Sequence, residues 1–515
     1  MDFCGALEAM PSLRENEMAS EMLIRARRYE EEKRREVRPE LPVYHLTGGN
    51  GWINDPNGFA PYRGEIHLFF QYYPYDVRWG PMHWGHAKTK DFCRWEFLPA
   101  ALAPDEAYDG AGCCSGGAVQ MPDGRHLLLY TGVKKEPLED GSTAVFQTQC
   151  LAFGDGREYV KFSDNPVIGE DLLPEGGSKR DFRDPKIWME NGLYYAVAAN
   201  RNKNGRGEIL IYQSEDALNW VLLGVLLSCT EEGGPMWECP DLFSLNGKDV
   251  LMHSALAMRP AVPEFHPGNG TACHIGHIDR KDWHFTEETL QTVDYGLDFY
   301  APQTLLTPDG RRILIAWMQN WDSSAFTPDN LHFFGQMTFP RELNINNNRL
   351  WQWPVREIEA YRRNHICLRE LSVREEKSFP EIHGRVLDLS LQIRPKKEKY
   401  QRFTIKIACG DGLFTGISCY PEKGTIRIDR TQSGFPHDIA HIREFPVSFR
   451  DGEINLRLLL DRYSFEIFVN GGEQSASSTL YTPLTAESIL FSADREVFLT
   501  VEKYDLKGTV NKEAI

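Results

Sequence analysis

Three carboxylates in this chain stand in turns built to one pattern. Asp55 lies in Gly51-Trp52-Ile53-Asn54-Asp55-Pro56-Asn57-Gly58, Asp184 in Arg180-Asp181-Phe182-Arg183-Asp184-Pro185, and Glu238 in Met236-Trp237-Glu238-Cys239-Pro240-Asp241. The proline after Asp55 biases that residue toward an extended backbone, and Asn57-Gly58 adds turn chemistry just beyond. An Asp in such a turn ordinarily serves its own backbone. The aromatic flank and the return of the same grammar favour a functional reading instead. The surroundings are neutral and aromatic, with neither metal-ligand spacing nor a phosphate-binding glycine loop. Carboxylates in that setting suit acetal chemistry, because glycoside cleavage needs one carboxylate at the anomeric carbon and one proton donor at the leaving oxygen.

The elements that must position these acids are repeats. Polar anchors at Asp55, Ser115, Asp184, Glu238 and Tyr300 each meet a Pro or Gly, then a short strand, a turn and a second apolar strand. The steps between them are 60, 69, 54 and 62 residues. Repeated hairpins at this spacing point to propeller blades rather than a helical solenoid. Five copies predict five blades, with the anchors converging on one central cavity. Within blade one, Gln71 ends an apolar strand where its amide can meet a hydroxyl, and Trp79 is suited to stack on a sugar. His83 and His86 lack helical metal spacing. Arg183, directly before Asp184, reads as a clamp on substrate hydroxyls or a tuner of Asp184.

The 515 residues exceed what one core supports, so two domains are expected. The formal charge of −17 repels phosphate backbones and anionic lipid, which argues against nucleic acid and membrane surfaces as partners. Eleven Cys without paired CxxC spacings, among them the adjacent Cys113-Cys114, read as thiols of a reducing compartment. The start of the chain lacks a basic region followed by an apolar run, which predicts no signal peptide and a cytoplasmic protein. Residues 12–37 read as a charged helix with one modest apolar stripe, packed outside the first domain and ended by Pro39 and Pro42. From Gly335 to Trp353 the chain is expected to leave the repeat, and Pro354 to Tyr361 to form a linker helix. Beyond it, period-two alternation at Val386–Leu391, Phe403–Ile407, Gly424–Ile428, Ile454–Leu458 and Phe465–Val469 indicates an antiparallel sandwich. The expectation is all-β: a five-bladed β-propeller followed by a C-terminal β-sandwich, with a short N-terminal helix. The boundaries are 1–40 for the leader, 41–345 for the propeller, 346–365 for the linker and 366–515 for the sandwich.

The stretches Trp52 to Gly58, Arg183-Asp184-Pro185 and Glu238-Cys239-Pro240 resemble, in order and at blade spacing, the three signature motifs of glycoside hydrolase family 32, the invertases and related β-fructosidases. The resemblance covers essentially the whole chain, since that family also joins a five-bladed propeller to a β-sandwich. It implies a retaining double displacement on a β-fructofuranoside. Asp55 would be the nucleophile, Glu238 the acid and base, and Asp184 the group that binds fructose hydroxyls and stabilises the oxocarbenium-like state. Asn54, Gln71, Trp79, Ser115, Arg183 and Tyr300 would line the fructose pocket. One departure is Cys114, where the family usually has Phe, which leaves that wall smaller. Another is Ile53 for the commoner Met. The implied substrate is a small sugar, sucrose, sucrose-6-phosphate or a short fructo-oligosaccharide, with no cofactor and no metal and with a homo-oligomer left open. Exo-acting fructan hydrolysis or fructosyl transfer would use the same residues. A non-catalytic carbohydrate-binding propeller would have no need of both Asp55 and Glu238.

Overall fold

A computed structural model describes residues 19–36, 38–229, 233–260, 262–323, 331–434 and 440–507. Among these the strands form seven sheets. Blade one consists of Gly51–Tyr62, Glu65–Tyr73, His83–Thr89 and Trp95–Leu102, and blade two of Gly112–Gln120, His126–Pro137, Thr143–Gly154 and Tyr159–Lys161. Blade three runs through Arg183–Glu190, Leu193–Arg201, Gly207–Ser214 and Trp220–Ser228, and blade four through Met236–Leu245, Lys248–Met258, Gly268–Asp279 and His284–Thr292. The strands of blade five are Tyr300–Leu306, Arg312–Trp317, Arg341–Asn346 and Arg349–Pro354. The first strand of each blade touches the first strands of both neighbours, which closes the ring. These inner strands are covered on both faces, and Gly51–Tyr62 accordingly reads as a nearly unbroken buried run. Outer strands such as His284–Thr292 keep mostly exposed positions.

Two-residue hairpins set the register inside the blades. Asn191-Gly192 and Asn246-Gly247 hold positive φ at both positions, the backbone that a tight antiparallel turn requires. Arg63-Gly64 does the same with a bulky residue at φ 47°. The ring is stitched by Phe333–Phe334, which pairs in parallel with Gly51 and Trp52.

The expected exit from the repeat near residue 345 is corrected here. Arg341–Asn346 and Arg349–Pro354 are the third and fourth strands of blade five, joined by a turn at Asn347-Asn348 with positive φ at both residues. Leu343 and Leu350 are buried among the residues of blades four and five, which a free linker could not achieve. A 3-10 turn over Arg356–Tyr361 makes the connection, and Arg362–Val373 is already a sandwich strand. The sandwich packs a six-stranded sheet on a five-stranded one around a hydrophobic core that includes Leu389, Ile405, Ile417, Leu458 and Ile467. Each such side chain contributes about 1.5–3 kcal/mol when fully buried.

Buried charge joins the two domains. The backbone N–H groups of Val43, Tyr44 and His45 all donate to the Asp461 carboxylate, and the His45 ring lies between Asp461 at 3.0 Å and Glu466 at 2.9 Å. Arg341 bonds Glu466 from one side and Asp294 from the other at 2.8 Å. Burial works against charge on His45, but its two carboxylate partners outweigh it and raise the imidazole to about 9.

Of the expected leader helix, residues 12–18 lie outside the described residues, and helix α1 spans Glu21–Arg34. Ser20 caps it, accepting from the Leu23 N–H at 3.1 Å. The helix packs along the outermost strand of blade one. No helix among the described residues is long and apolar enough to cross a membrane.

Candidate active site

Each inner strand bulges at its anchor. The register against the neighbouring strand slips by one residue between Ile53 and Pro56, Cys114 and Gly116, Arg183 and Lys186, Glu238 and Asp241, and Tyr300 and Gln303. A bulge turns a strand and re-aims its side chains. In blades three to five the residue before the proline is left-handed, with φ 61° at Asp184, 50° at Cys239 and 51° at Ala301. That conformation costs a non-glycine residue about 1–2 kcal/mol. In each case the strained residue's N–H is taken by a side chain of the preceding blade. Asp184 donates to Thr131 Oγ1 at 2.9 Å, Cys239 to Asp184 Oδ2 at 3.1 Å, and Ala301 to Ser254 Oγ at 2.8 Å.

This register corrects the sequence alignment of the repeats. Asp184 and Glu238 are not equivalent positions: Asp184 matches Cys239 and Ala301, while Glu238 matches Arg183 and Tyr300. The site therefore has two tiers. In the first, the Glu238 carboxylate is clasped from both sides. Arg183 donates from Nε to Oε1 at 3.1 Å, with Nη2 in ion-pair contact with the same oxygen at 3.1 Å, and the Tyr300 hydroxyl donates to Oε2 at 2.8 Å. In the second, Asp55 Oδ2 accepts from Ser115 Oγ at 2.7 Å and from Cys239 Sγ at 3.4 Å, and the same thiol lies 3.6 Å from Asp184 Oδ2. Asp55 Oδ1 has no hydrogen-bond partner among the described residues.

The electrostatics follow from three acids in one buried place. Burial, then the Glu238 carboxylate, push Asp184 up to about 7, with Arg183 opposing and Asp55 reinforcing. Asp55 is also raised, by burial first, while Ser115 pulls it down. Burial and the neighbouring Glu238 hold the Tyr300 hydroxyl far above its ordinary range, so it remains a donor. Burial likewise pushes the Cys114 thiol up to about 12, with Asp184 adding to it.

The remaining expected residues stand as follows. Asn54 is buried and its Oδ1 accepts from Trp52 Nε1 at 2.7 Å. Gln71 is buried, with Nε2 donating to the Cys113 carbonyl at 3.1 Å, which ties blade one to blade two beside Cys114 and Ser115. Trp79 is not drawn into the buried cluster and is 49% exposed on the loop from Pro74 to Met82. Sequence reasoning gave no role to Cys239 or Thr131. Aligning the repeats on Pro185, Pro240 and Pro302 would have put Cys239 in the same place as Asp184. It also missed the aromatic wall beside the site, where Trp52 stacks on Phe334 at 4.4 Å and Trp317 meets Trp321 at 5.3 Å.

Residues 45–354 match the model of the glycosyl hydrolases family 32 N-terminal domain, and residues 357–506 match that of the family 32 C terminal. The chain belongs to glycosyl hydrolase family 32. It is a glycosidase. Among the relatives of this family 32 chain is a sucrose-6-phosphate hydrolase of Zymomonas mobilis, 34% identical over 449 residues that cover 84% of each protein. A raffinose invertase of Escherichia coli is 33% identical over 473 residues, covering 89% of this chain and 93% of the relative. The solved GH32 beta-fructofuranosidase of Bombyx mori superposes with a TM-score of 0.81 at 32% identity, covering 95% of this chain and 99% of the other. An aspartate-to-alanine mutant of that Bombyx protein has been solved in complex with sucrose.

Proposed function

We propose that this family 32 glycosidase releases terminal β-D-fructofuranosyl residues from sucrose, sucrose-6-phosphate or short fructo-oligosaccharides by double displacement. Asp55 attacks the anomeric carbon as Glu238 gives its proton to the departing oxygen. Glu238 then takes a proton from water, whose oxygen displaces Asp55 and returns the free sugar. Asp184 hydrogen-bonds fructose hydroxyls and stabilises the positive charge that builds on the ring, and Asn54, Gln71, Trp79, Cys114, Ser115, Arg183 and Tyr300 line the pocket. The observation that carries this reading is the different dressing of the two acids. Asp55 Oδ1 has no hydrogen-bond partner among the described residues and is open to attack a sugar carbon, whereas both oxygens of Glu238 are oriented by donors. The relatives named for sucrose-6-phosphate and raffinose, and the sucrose complex of the Bombyx protein, support the choice of a sucrose-type fructoside. Buried described cysteines such as Cys113, Cys150 and Cys273 carry unbridged thiols, which supports a cytoplasmic setting.

The test is fructose release, with kcat/KM compared on sucrose, sucrose-6-phosphate, 1-kestose and inulin. The reading expects the highest values on the first two and loss of activity in Glu238→Gln. Wild-type protein that binds these sugars but frees no fructose from any of them would mark a carbohydrate-binding propeller instead.

A further inference from the structure

We propose that helix α1 buttresses the rim of the active site, and that Tyr29 and Tyr75 are positioning residues that hold the Trp79 loop against the sugar. The proposal rests on the reading of Trp79 as a substrate contact.

One flank of α1 is fastened to the edge of blade one as though it were another strand. The Ala100 N–H donates to Glu30 Oε1 at 2.9 Å, Arg27 Nε donates to the Ala100 carbonyl at 3.0 Å, and Arg34 Nη2 donates to the Leu98 carbonyl at 3.2 Å. Side chains thus occupy backbone groups that an edge strand would leave open. The other flank meets the loop between the second and third strands of that blade. The Tyr29 ring stands edge-on to Tyr75 at 5.2 Å, and the Arg25 guanidinium lies over the same Tyr75 ring at 5.0 Å. Tyr75 then meets both ends of the loop, with Tyr73 at 5.5 Å and His83 at 5.9 Å.

The loop itself leads to the site. Met82 accepts from the Cys113 N–H at 2.9 Å, one residue from Cys114 and two from Ser115. Val77 packs on the apolar cluster of Trp52, Tyr300, Trp317 and Phe334. Gly80 lies flat on the Tyr73 ring, where a Cβ would stand 2.7 Å from the ring carbons, so the chain next to Trp79 has one fit. Trp79 is half exposed and is carried by this loop. Stacking on a sugar demands placement to within about 1 Å, and a loop already held in place does not spend binding energy on being ordered. The helix supplies that order through two aromatic rings. The expected signature is a change in substrate binding with the chemical step intact.

Steady-state kinetics on sucrose test this with Trp79→Ala, Tyr29→Ala, Tyr75→Ala, the exposed Arg25→Ala, Tyr29→Phe, and the Tyr75→Ala/Trp79→Ala pair. Tyr29→Ala and Tyr75→Ala should raise KM about three- to tenfold with kcat within about twofold, Arg25→Ala should raise it less, and Tyr29→Phe should behave as wild type. The double variant should be no worse than Trp79→Ala alone, because both changes remove one contact. If Trp79→Ala raises KM while Tyr29→Ala, Tyr75→Ala and Arg25→Ala do not, the buttress is refuted and the active-site reading stands. An additive double variant also refutes it. If Trp79→Ala leaves KM unchanged, Trp79 is no substrate contact and the proposal falls with that reading.

Discussion

The guanidinium of Arg183 and the carboxylate of Glu238 meet at 3.1 Å, each from the residue that precedes its blade's bulge. Both side chains are largely buried, which makes this contact more than a surface ion pair. Because Tyr300 occupies the matching position in blade five and bonds the other oxygen, Glu238 has one orientation available to it.

Removing the guanidinium should therefore cost activity by misplacing Glu238, the proposed proton donor. Arg183→Met is expected to lower kcat/KM by about 10²- to 10³-fold, and Arg183→Lys to recover only part of it, since an ammonium cannot reproduce the two-nitrogen contact. Activity in Arg183→Met within about twofold of wild type would show that the clasp is incidental.

Asp184 is held with a raised proton affinity, so its contribution to stability depends on pH. A carboxyl raised from its ordinary value to about 7 favours the fold at low pH, and that contribution is lost as pH rises through 7. Asp184→Asn removes the buried charge. Its Tm should match wild type near pH 4 and exceed it at pH 8, by on the order of 1–4 °C. Scanning calorimetry at the two pH values checks this, and a gap of the same size at both would mean that the charge is not responsible.

Much of this was legible in the sequence, and what was missed has physical reasons. Five anchors gave five blades because each inner strand must present its bulge to the same cavity. The three acids were visible because Asp-Pro and Glu-Cys-Pro are costly turns. The two tiers are hidden when the repeats are aligned on their acids rather than on Pro185, Pro240 and Pro302, because a one-residue slip exchanges Cys239 for Glu238. The outer hairpin of blade five reads as linker because its turn, Asn347-Asn348, carries no glycine and its second strand holds two partly buried Trp, Trp351 and Trp353. Contacts such as Thr131 with Asp184 join separate blades, and no local pattern announces them.

The domain seam has its own pH dependence. His45 is raised to about 9, so the stability it contributes is complete below its ordinary value and lost as pH rises through 9. His45→Gln leaves Asp461 and Glu466 buried without that cation, a change of the kind that costs about 3–5 kcal/mol. Its Tm should lie well below wild type at pH 6, and the two should approach each other by pH 10. A gap that stays constant over this range would contradict the assignment.

In the proposed double displacement Asp55 forms the bond to the sugar. Glu238→Gln can be incubated with β-fructofuranosyl fluoride, whose leaving group needs no proton donor, then quenched in acid and digested for mass spectrometry. One fructosyl unit is expected on the peptide that carries Asp55, and none when Asp55→Ala is added. Full consumption of the fluoride with no labelled peptide at any time, or a label on a different carboxylate, would contradict it.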